Sequence, residues 1–321
     1  MAILIAGNAG LNVNNPEIEA LAWADPVASG PNYGAVRYLG WLDEFTGSFQ
    51  YDVFDNLAGG TLTGWKQTYN GGLVFEITGA NVDVGEMLQW VAAADNATAV
   101  RSVFAGADHM TGSAFSDTLS GYTGPDTLMG GAGSDKLEGG DGRDFIRGEE
   151  GNDSILGGAE FDDLHGNQGN DTVDGGAGED WVVGGQGNDL LFGGDDASND
   201  VVYGNLGDDT CYGGGGIDWV RGGQGNDSLS AGAGDDLIWG DRGDDTISGG
   251  AGADIFSVFG EGGLDRILDF NAAEGDRLRV EAGYGYTIAQ VGADTVVSIT
   301  GGAQAVLVGV QLSTLPSGWL I

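Results

Sequence analysis

Residues 222–256 read GGQGNDSLSAGAGDDLIWGDRGDDTISGGAGADIF, a nine-residue unit repeated almost four times. Each copy begins with small residues, carries an Asp at its sixth position and has a large apolar residue two positions later. Stepping through the chain at this interval finds a long series of aspartates, with one two-residue insertion in GGDDASND at 193–200. They are Asp117, Asp126, Asp135, Asp144, Asp153, Asp162, Asp171, Asp180, Asp189, Asp200, Asp209, Asp218, Asp227, Asp236, Asp245 and Asp254. Such a period predicts a solenoid in which each repeat is one structural unit.

The apolar residue two places after each Asp is as regular as the Asp itself. The positions hold Leu119, Leu128, Leu137, Ile146, Ile155, Leu164, Val173, Val182, Leu191, Val202, Cys211, Val220, Leu229, Ile238, Ile247 and Phe256. Gly, Asn and Asp favour turns, so each repeat is predicted to be a turn followed by a three-residue strand. Because side chains alternate along a strand, these apolar residues would stack between two facing sheets. Cys211 is therefore predicted to be a small buried hydrophobe.

The repeat can be written GGxGxDxUx, where U is the large apolar residue, and it resembles the RTX (repeats-in-toxin) nonapeptide family of secreted bacterial proteins. GGAGSDKLE (130–138) and GGQGNDSLS (222–230) are good copies, and the resemblance covers roughly residues 112–257. The resemblance implies an all-β fold, a calcium-dependent parallel β-roll whose loops lie on alternate edges. One edge would carry every second Asp starting from Asp117, and the other every second Asp starting from Asp126.

The charge of the chain indicates a cation as its partner. There are 49 acidic and 11 basic residues, a net charge of −38. This excludes nucleic acid, whose phosphates are bound by Lys and Arg. Acidic disordered chains are poor in apolar residues, whereas this chain is 41% hydrophobic and 9% aromatic. No apolar run approaches the length of a membrane span.

Calcium is the cation that the predicted ligands favour. Asp carboxylates and glycine-loop carbonyls are hard oxygen ligands, and the chain has only two His and one Cys for a softer metal. All sixteen repeat aspartates are candidate ligands. Eight loops per edge leave seven gaps, so at most about 14 ions are expected, and folding should depend on them. The copies expected to bind calcium least well are those at 112–129, the one containing Glu160 and the lengthened copy at 193–203.

Three regions are predicted along the chain. Residues 1–105 would form a small, mostly-β N-terminal domain, residues 106–257 the β-roll and residues 258–321 a β-rich C-terminal cap. Within the cap, GGLDRILDFNAAEGDRLRV (262–280) resembles the segment that closes serralysin-type RTX domains, with Asp265, Asp269, Phe270 and Asp276 at the recognisable positions. The apolar end GWLI (318–321) is compatible with the uncleaved C-terminal signal that RTX-like proteins present for type I secretion, so we expect the protein outside the cell or at the cell surface.

The two outer faces of the predicted roll differ in chemistry. On one sheet the residues flanking U are mostly Ser and Thr. On the other they are apolar and aromatic, and we predict that this face is covered by a flanking domain, by another copy or by a separate ligand. The predicted interface residues are Phe145, Trp181, Val183, Val201, Tyr203, Trp219, Leu237 and Trp239.

No catalytic motif accompanies the repeats. The sequence contains no HExxH, no GxSxG and no GxxxxGK[ST], so it is interpreted as non-enzymatic. The leading hypothesis is a secreted calcium-binding protein that self-assembles as a surface-layer, filament or biofilm-matrix component. The alternative is a monomeric adhesin that recognises a glycan or a surface through residues 1–105. A third hypothesis is an accessory domain of a secreted hydrolase.

Overall fold

The computed structural model describes residues 106–321, apart from Ser113, in full, and it describes only the backbone of six strands within residues 1–105. The chain divides into two compact units, Met1–Glu150 and Gly151–Ile321. The boundaries predicted from the sequence at 105 and 257 stay predictions. The described residues include a 3-10 helix at Leu312–Thr314 but no helix long and apolar enough to cross a membrane.

The first unit joins antiparallel strands to the first coils of a parallel solenoid. Strands β2 to β6 form an antiparallel meander, and β1 pairs antiparallel with β6 and parallel with β7. Strands β7, β9 and β11 pair in parallel, as do β8 and β10. The bounds are β1 Ile3–Ala6, β2 Asp25–Gly30, β3 Tyr33–Tyr38, β4 Trp41–Tyr51, β5 Leu57–Tyr69, β6 Gly72–Asp83, β7 His109–Thr111, β8 Thr118–Thr123, β9 Thr127–Ala132, β10 Lys136–Asp141 and β11 Phe145–Glu150.

The second unit is built on two parallel sheets. Sheet 1 has the order β13, β15, β17, β19, β21, β23, β25, and sheet 2 has the order β12, β14, β16, β18, β20, β22, β24, β28, with β27 and β26 added antiparallel. The bounds are β12 Ser154–Ala159, β13 Asp163–Gln168, β14 Thr172–Ala177, β15 Trp181–Gln186, β16 Leu190–Gly194, β17 Val201–Leu206, β18 Thr210–Gly215, β19 Trp219–Gln224, β20 Ser228–Ala233, β21 Leu237–Arg242, β22 Thr246–Ala251, β23 Ile255–Val258, β24 Leu264–Ile267, β25 Arg277–Val280, β26 Tyr286–Val291, β27 Asp294–Ile299 and β28 Gln304–Leu307. The predicted all-β parallel solenoid, with alternate repeats in alternate sheets, is confirmed.

The repeat strands are longer than the predicted three residues. Most contain six residues, because each strand continues through two glycines beyond U, and the second glycine and the residue after it pair with the next strand, as Gly158 does with Gly176. The second of these glycines usually has a positive φ, as Gly176 does at 104°. Glycine adopts this conformation without steric cost, so the chain can pair through its turn.

The core follows the predicted apolar register. All sixteen U residues are at most 2% exposed, Cys211 among them, and Met110 extends the series by one repeat. At the C-terminal end of the second unit, aromatic rings cover the end of the apolar stack. The ring centroid of Phe270 lies 5.8 Å from that of Phe256 and 6.1 Å from that of Trp319. Solenoids need such an end, since the last coil would otherwise expose its core.

Candidate metal centres

The repeat aspartates stand in columns connected by hydrogen bonds. The amide of Asp209, for example, donates to Oδ1 of Asp227 at 2.8 Å, and the amide of Asp227 donates to Oδ1 of Asp245 at 2.9 Å. In the first unit the columns are Asp108–Asp126–Asp144 and Asp117–Asp135; in the second they are Asp153–Asp171–Asp189–Asp209–Asp227–Asp245 and Asp162–Asp180–Asp200–Asp218–Asp236–Asp254. Each bond joins the equivalent positions of repeats that follow one another on the same edge.

In eleven of these residues the second carboxylate oxygen is buried without a hydrogen-bond partner. This holds for Oδ2 of Asp126, Asp171, Asp180, Asp189, Asp200, Asp209, Asp218, Asp227, Asp236, Asp245 and Asp254. None of these side chains is more than 3% exposed. Burying a carboxylate oxygen without a partner costs folding free energy. A row of such oxygens therefore indicates positions where a cation would bind and compensate the negative charge.

Glycine at the first position of the repeat makes room for this oxygen. A Cβ on Gly222 would overlap Oδ2 of Asp227 and would lie 2.8 Å from the carbonyl oxygen of Gly240. Gly204 is placed in the same way against Asp209 and the carbonyl of Gly222. A carboxylate oxygen and a carbonyl oxygen from the next repeat on the same edge therefore border one small space at each loop.

Burial raises the pKa of these carboxyls. The pKa is raised to about 8 for Asp126, to about 7 for Asp227 and to about 6 for Asp245, in each case mainly by desolvation. Coulombic repulsion from the next Asp in the column adds to this shift for Asp126 and Asp227. A bound cation would offset both effects, because it stabilises the ionised carboxylates.

The donor set fits Ca²⁺. Aspartate and backbone carbonyl oxygens at flexible loops are the ligands that Ca²⁺ takes. Within the described part of the chain, no three His, Cys, Asp or Glu side chains gather closely enough to hold a metal by themselves. At these loops, backbone carbonyls such as that of Gly240 would complete the coordination of a cation bound by an Asp carboxylate. When bound, Ca²⁺ would neutralise the columns and hold neighbouring loops together.

The columns extend beyond the predicted residues. Asp108 lies nine residues before Asp117, is 4% exposed and donates its amide to Asp126 at 2.7 Å. At the other end, Asp276 accepts from the amides of Asp254 at 3.1 Å and Asn271 at 2.7 Å, and Asp265 accepts from the amide of Asp245. Asp108 could have been found by stepping nine residues back from Asp117. Asp265 and Asp276 do not fall on the nine-residue period, so a search by period does not find them.

The irregular repeats keep the column geometry. The insertion at 193–200 leaves Asp180 bonded to Asp200 at 2.9 Å. Glu160, at the fourth position of its repeat, takes a φ of 75°, and the glycine at this position of the next repeat on the same edge, Gly178, also has a positive φ, of 131°. In the copies at 112–129, the Asp117 amide donates to Asp135 at 2.7 Å and the Asp126 amide to Asp144 at 2.8 Å. Weaker calcium binding beside these repeats stays a prediction.

The predicted aromatic face lies on sheet 1 of the second unit. Trp181, Val201, Trp219, Leu237 and Ile255 are lateral neighbours across five adjacent strands. Trp181 is 45% and Trp219 48% exposed. We call this row, with Tyr203 and Trp239 beside it, the aromatic face.

Two of the predicted interface residues do not contribute to the exposed row, one because it is buried and one because it belongs to the first unit. Val183 is only 8% exposed, and its lateral neighbours in the register are His165 and Tyr203. Phe145 belongs to the first unit, where it is 38% exposed and carries the Arg147 guanidinium 3.5 Å above its ring centroid.

The parallel solenoid and its columns of buried carboxylates define a repeat protein whose loops suit a hard cation such as Ca²⁺. A family model of the RTX calcium-binding nonapeptide repeat matches at residues 103–137, 120–155, 129–164, 156–191, 165–198, 195–220 and 221–256. Residues 103–256 therefore belong to the RTX calcium-binding repeat family. The resemblance of the C-terminal segment to serralysin-type domains stays a prediction.

Two solved structures are similar to parts of the chain. The AlgE6R3 subunit of the Azotobacter vinelandii mannuronan C5-epimerase is 25% identical over 41% of this chain and 78% of that one, with a TM-score of 0.25. The extracellular lipase LipA from Serratia marcescens is 18% identical over 68% of this chain and 40% of that one, with a TM-score of 0.31. A search of the curated proteins found no significant match.

Proposed function

We propose that this protein is a secreted, non-enzymatic structural component that folds on Ca²⁺ and then self-assembles through the aromatic face. Its working environment would be the cell surface or the extracellular matrix. RTX membership of residues 103–256 supports calcium binding. Extracellular calcium modules bind at about 10⁻⁴–10⁻³ M, a range suited to folding after export.

The row of apolar side chains on sheet 1 carries the proposal of self-assembly. Adjacent strands lie about 4.8 Å apart, so the five-strand row from Trp181 to Ile255 extends over roughly 19 Å. Single exposed apolar residues are common, but a contiguous apolar patch on a soluble monomer is rare and marks an interaction site.

A second copy of the chain suits this surface. The row repeats with the strand spacing and lies on a sheet whose strands are parallel and in register. The same patch on another copy presents side chains at an equal spacing, which favours a contact in which the patch meets itself about a two-fold axis. One repeat contributes only one residue to this row. The contact between copies would therefore form only after the repeats have stacked into the solenoid.

A calcium titration of the EGTA-treated protein tests the proposal. Far-UV circular dichroism would follow β-structure while light scattering follows particle mass. We expect both to rise over the same calcium range. If β-structure forms while the mass stays monomeric, the aromatic face is covered within the chain and self-assembly is wrong. The alternative, an adhesin acting through residues 1–105, would then be tested by a glycan array with and without that segment.

A further inference from the structure

A cleft of about 480 Å³ opens beside the aromatic face, where β17, β19 and β21 run into their glycine turns. Its walls include Tyr203, Asn205, Arg221, Gln224, Asp241 and Phe259. This volume lies within the roughly 300–1,000 Å³ typical of small-molecule sites. The cleft shares Tyr203 with the aromatic face and Gly222 with the calcium loops, but neither of those proposals places a ligand in it.

The cleft arises from one glycine between two larger residues. Asn205, Gly223 and Asp241 are lateral neighbours, at a position of the repeat that requires positive φ. Asn205 has a φ of 80° and Asp241 a φ of 71°. Non-glycine residues pay a steric cost there, and such strain concentrates at functional sites. With strands about 4.8 Å apart, Gly223 leaves a floor between two polar walls about 10 Å apart.

The charges that border the cleft are already paired. Arg221 binds Asp241 with both Nε and Nη2, the second contact being 3.0 Å long. Arg242 Nη2 lies 2.7 Å from Glu261 Oε2. Each guanidinium thus faces a carboxylate, which leaves the site without the uncompensated positive charge that a phosphate or a free carboxylate would need.

The remaining groups suit a ligand with both hydroxyl and C–H surfaces. The amides of Asn205 and Gln224 are exposed and offer donors together with acceptors. Tyr203 and Phe259 contribute half-buried aromatic surface. The Arg221–Asp241 pair holds a planar donor and acceptor array in a fixed orientation. A sugar ring presents C–H groups to an aromatic face and adjacent hydroxyls to planar polar groups.

We propose that this cleft binds a neutral pyranose unit of an oligosaccharide. The aromatic rings pack against the C–H face of the sugar ring, while Gln224, Asn205 and the Arg221–Asp241 pair bind its hydroxyls. The glycine floor lets the ring approach the backbone of β19. This site lies in the repeats and differs from glycan recognition through residues 1–105.

Isothermal titration calorimetry on the full-length, calcium-saturated protein tests this. The probes are neutral gluco-, galacto- and manno-configured tetrasaccharides, with a uronate tetrasaccharide and inorganic phosphate for comparison. We expect at least one neutral series to bind, and Gln224→Ala and Arg221→Lys each to weaken it by roughly tenfold. Arg266→Lys makes the same exchange on sheet 2 and should leave binding unchanged, and circular dichroism verifies that every variant folds.

Three outcomes would overturn the proposal. These are no binding of any neutral tetrasaccharide at millimolar concentration, tighter binding of the uronate or of phosphate, and full binding by both Gln224→Ala and Arg221→Lys. Repeating the titration with Trp181→Glu/Trp219→Glu separates this site from self-assembly. Both substituted residues lie outside the cleft lining, so saccharide binding should persist whether or not that variant assembles.

Discussion

The amide of Asp218 donates to Oδ1 of Asp236 at 2.8 Å, while Oδ2 of Asp236 is buried without a hydrogen-bond partner. One oxygen of the carboxylate thus ties two repeats together, and the other remains for a cation. The same division recurs along both edges of the second unit. Folding and calcium binding are therefore expected to be one process, since the ionised carboxylates within a column repel one another until a cation lies beside them.

Replacing Asp236 by Asn should raise the calcium concentration needed for folding. Asn keeps an oxygen that can accept the Asp218 amide but removes the charged oxygen. We expect the midpoint of the calcium titration to rise by roughly tenfold, equal to about 1.4 kcal/mol, measured by circular dichroism. Asp235→Asn is the matched control, because Asp235 is exposed and its Oδ1 accepts the Ala253 amide, as an Asn could. Equal midpoints for the two variants would contradict a ligand role for Asp236.

Acid should stabilise the calcium-free protein. Burial raises the pKa of Asp227, Asp209 and Asp236 from 3.8 to about 7 each. A folded pKa above the unfolded value stabilises the fold fully below about pH 4, and this contribution is lost as pH rises through about 7. In EGTA, β-structure measured by circular dichroism should therefore increase from pH 8 to pH 5. A loss of β-structure over that range would show that repulsion in the columns does not limit folding.

The thiol of Cys211 should report folding. It is fully buried, and its burial raises its pKa well above the ordinary value. Thiolates are the reactive species, so labelling by a thiol reagent at pH 8 should be slow with calcium and fast in EGTA. A spectrophotometric labelling rate gives this directly. Similar rates in both conditions would mean that this part of the solenoid is formed without calcium.

Charged residues on the aromatic face should block assembly. Trp181→Glu with Trp219→Glu introduces two charges into the apolar row, and a desolvated charge opposes association. We expect light scattering in calcium to fall to the monomer value with β-structure unchanged. Tyr212→Glu is the control, since Tyr212 is 41% exposed on sheet 2. Assembly that persists in the double variant, or that is lost equally in the control, would place the contact elsewhere.

Relief of backbone strain at Glu160 should stabilise the fold. Its φ of 75° is left-handed, a conformation that costs a non-glycine residue roughly 1–2 kcal/mol. Glu160→Gly removes this cost, offset in part by the greater entropy of the unfolded glycine. We expect a net gain of about 1 kcal/mol in denaturant unfolding at saturating calcium. Glu179→Gly is the control, because Glu179 does not have a positive φ, and it should not increase the free energy of unfolding. If Glu160→Gly is less stable than the original protein, the Glu160 side chain contributes a stabilising contact.

Much of the fold was predictable because the repeat is local. A nine-residue period places Asp and U at constant positions, so the buried series from Leu119 to Phe256 followed from the spacing, and the resemblance to RTX repeats implied the pairing of alternate repeats. The length of the strands could not be predicted from this period. Whether the glycines continue a strand depends on pairing with the next coil, as between Gly158 and Gly176.

The sequence by itself determined the solenoid, the register of its aspartates and apolar residues, and the difference between its outer faces, since these depend on residue type and interval; the resemblance to RTX repeats implied the division of the aspartates between two edges. The tertiary structure was needed for the contacts between residues that are far apart in the sequence. It alone showed that Asp265 and Asp276 continue the columns, that Trp319 closes the core against Phe270, and that Gly223 forms a floor between Asn205 and Asp241. These contacts join residues whose spacing is irregular or that lie eighteen or more residues apart, and only the stacking of coils brings them together.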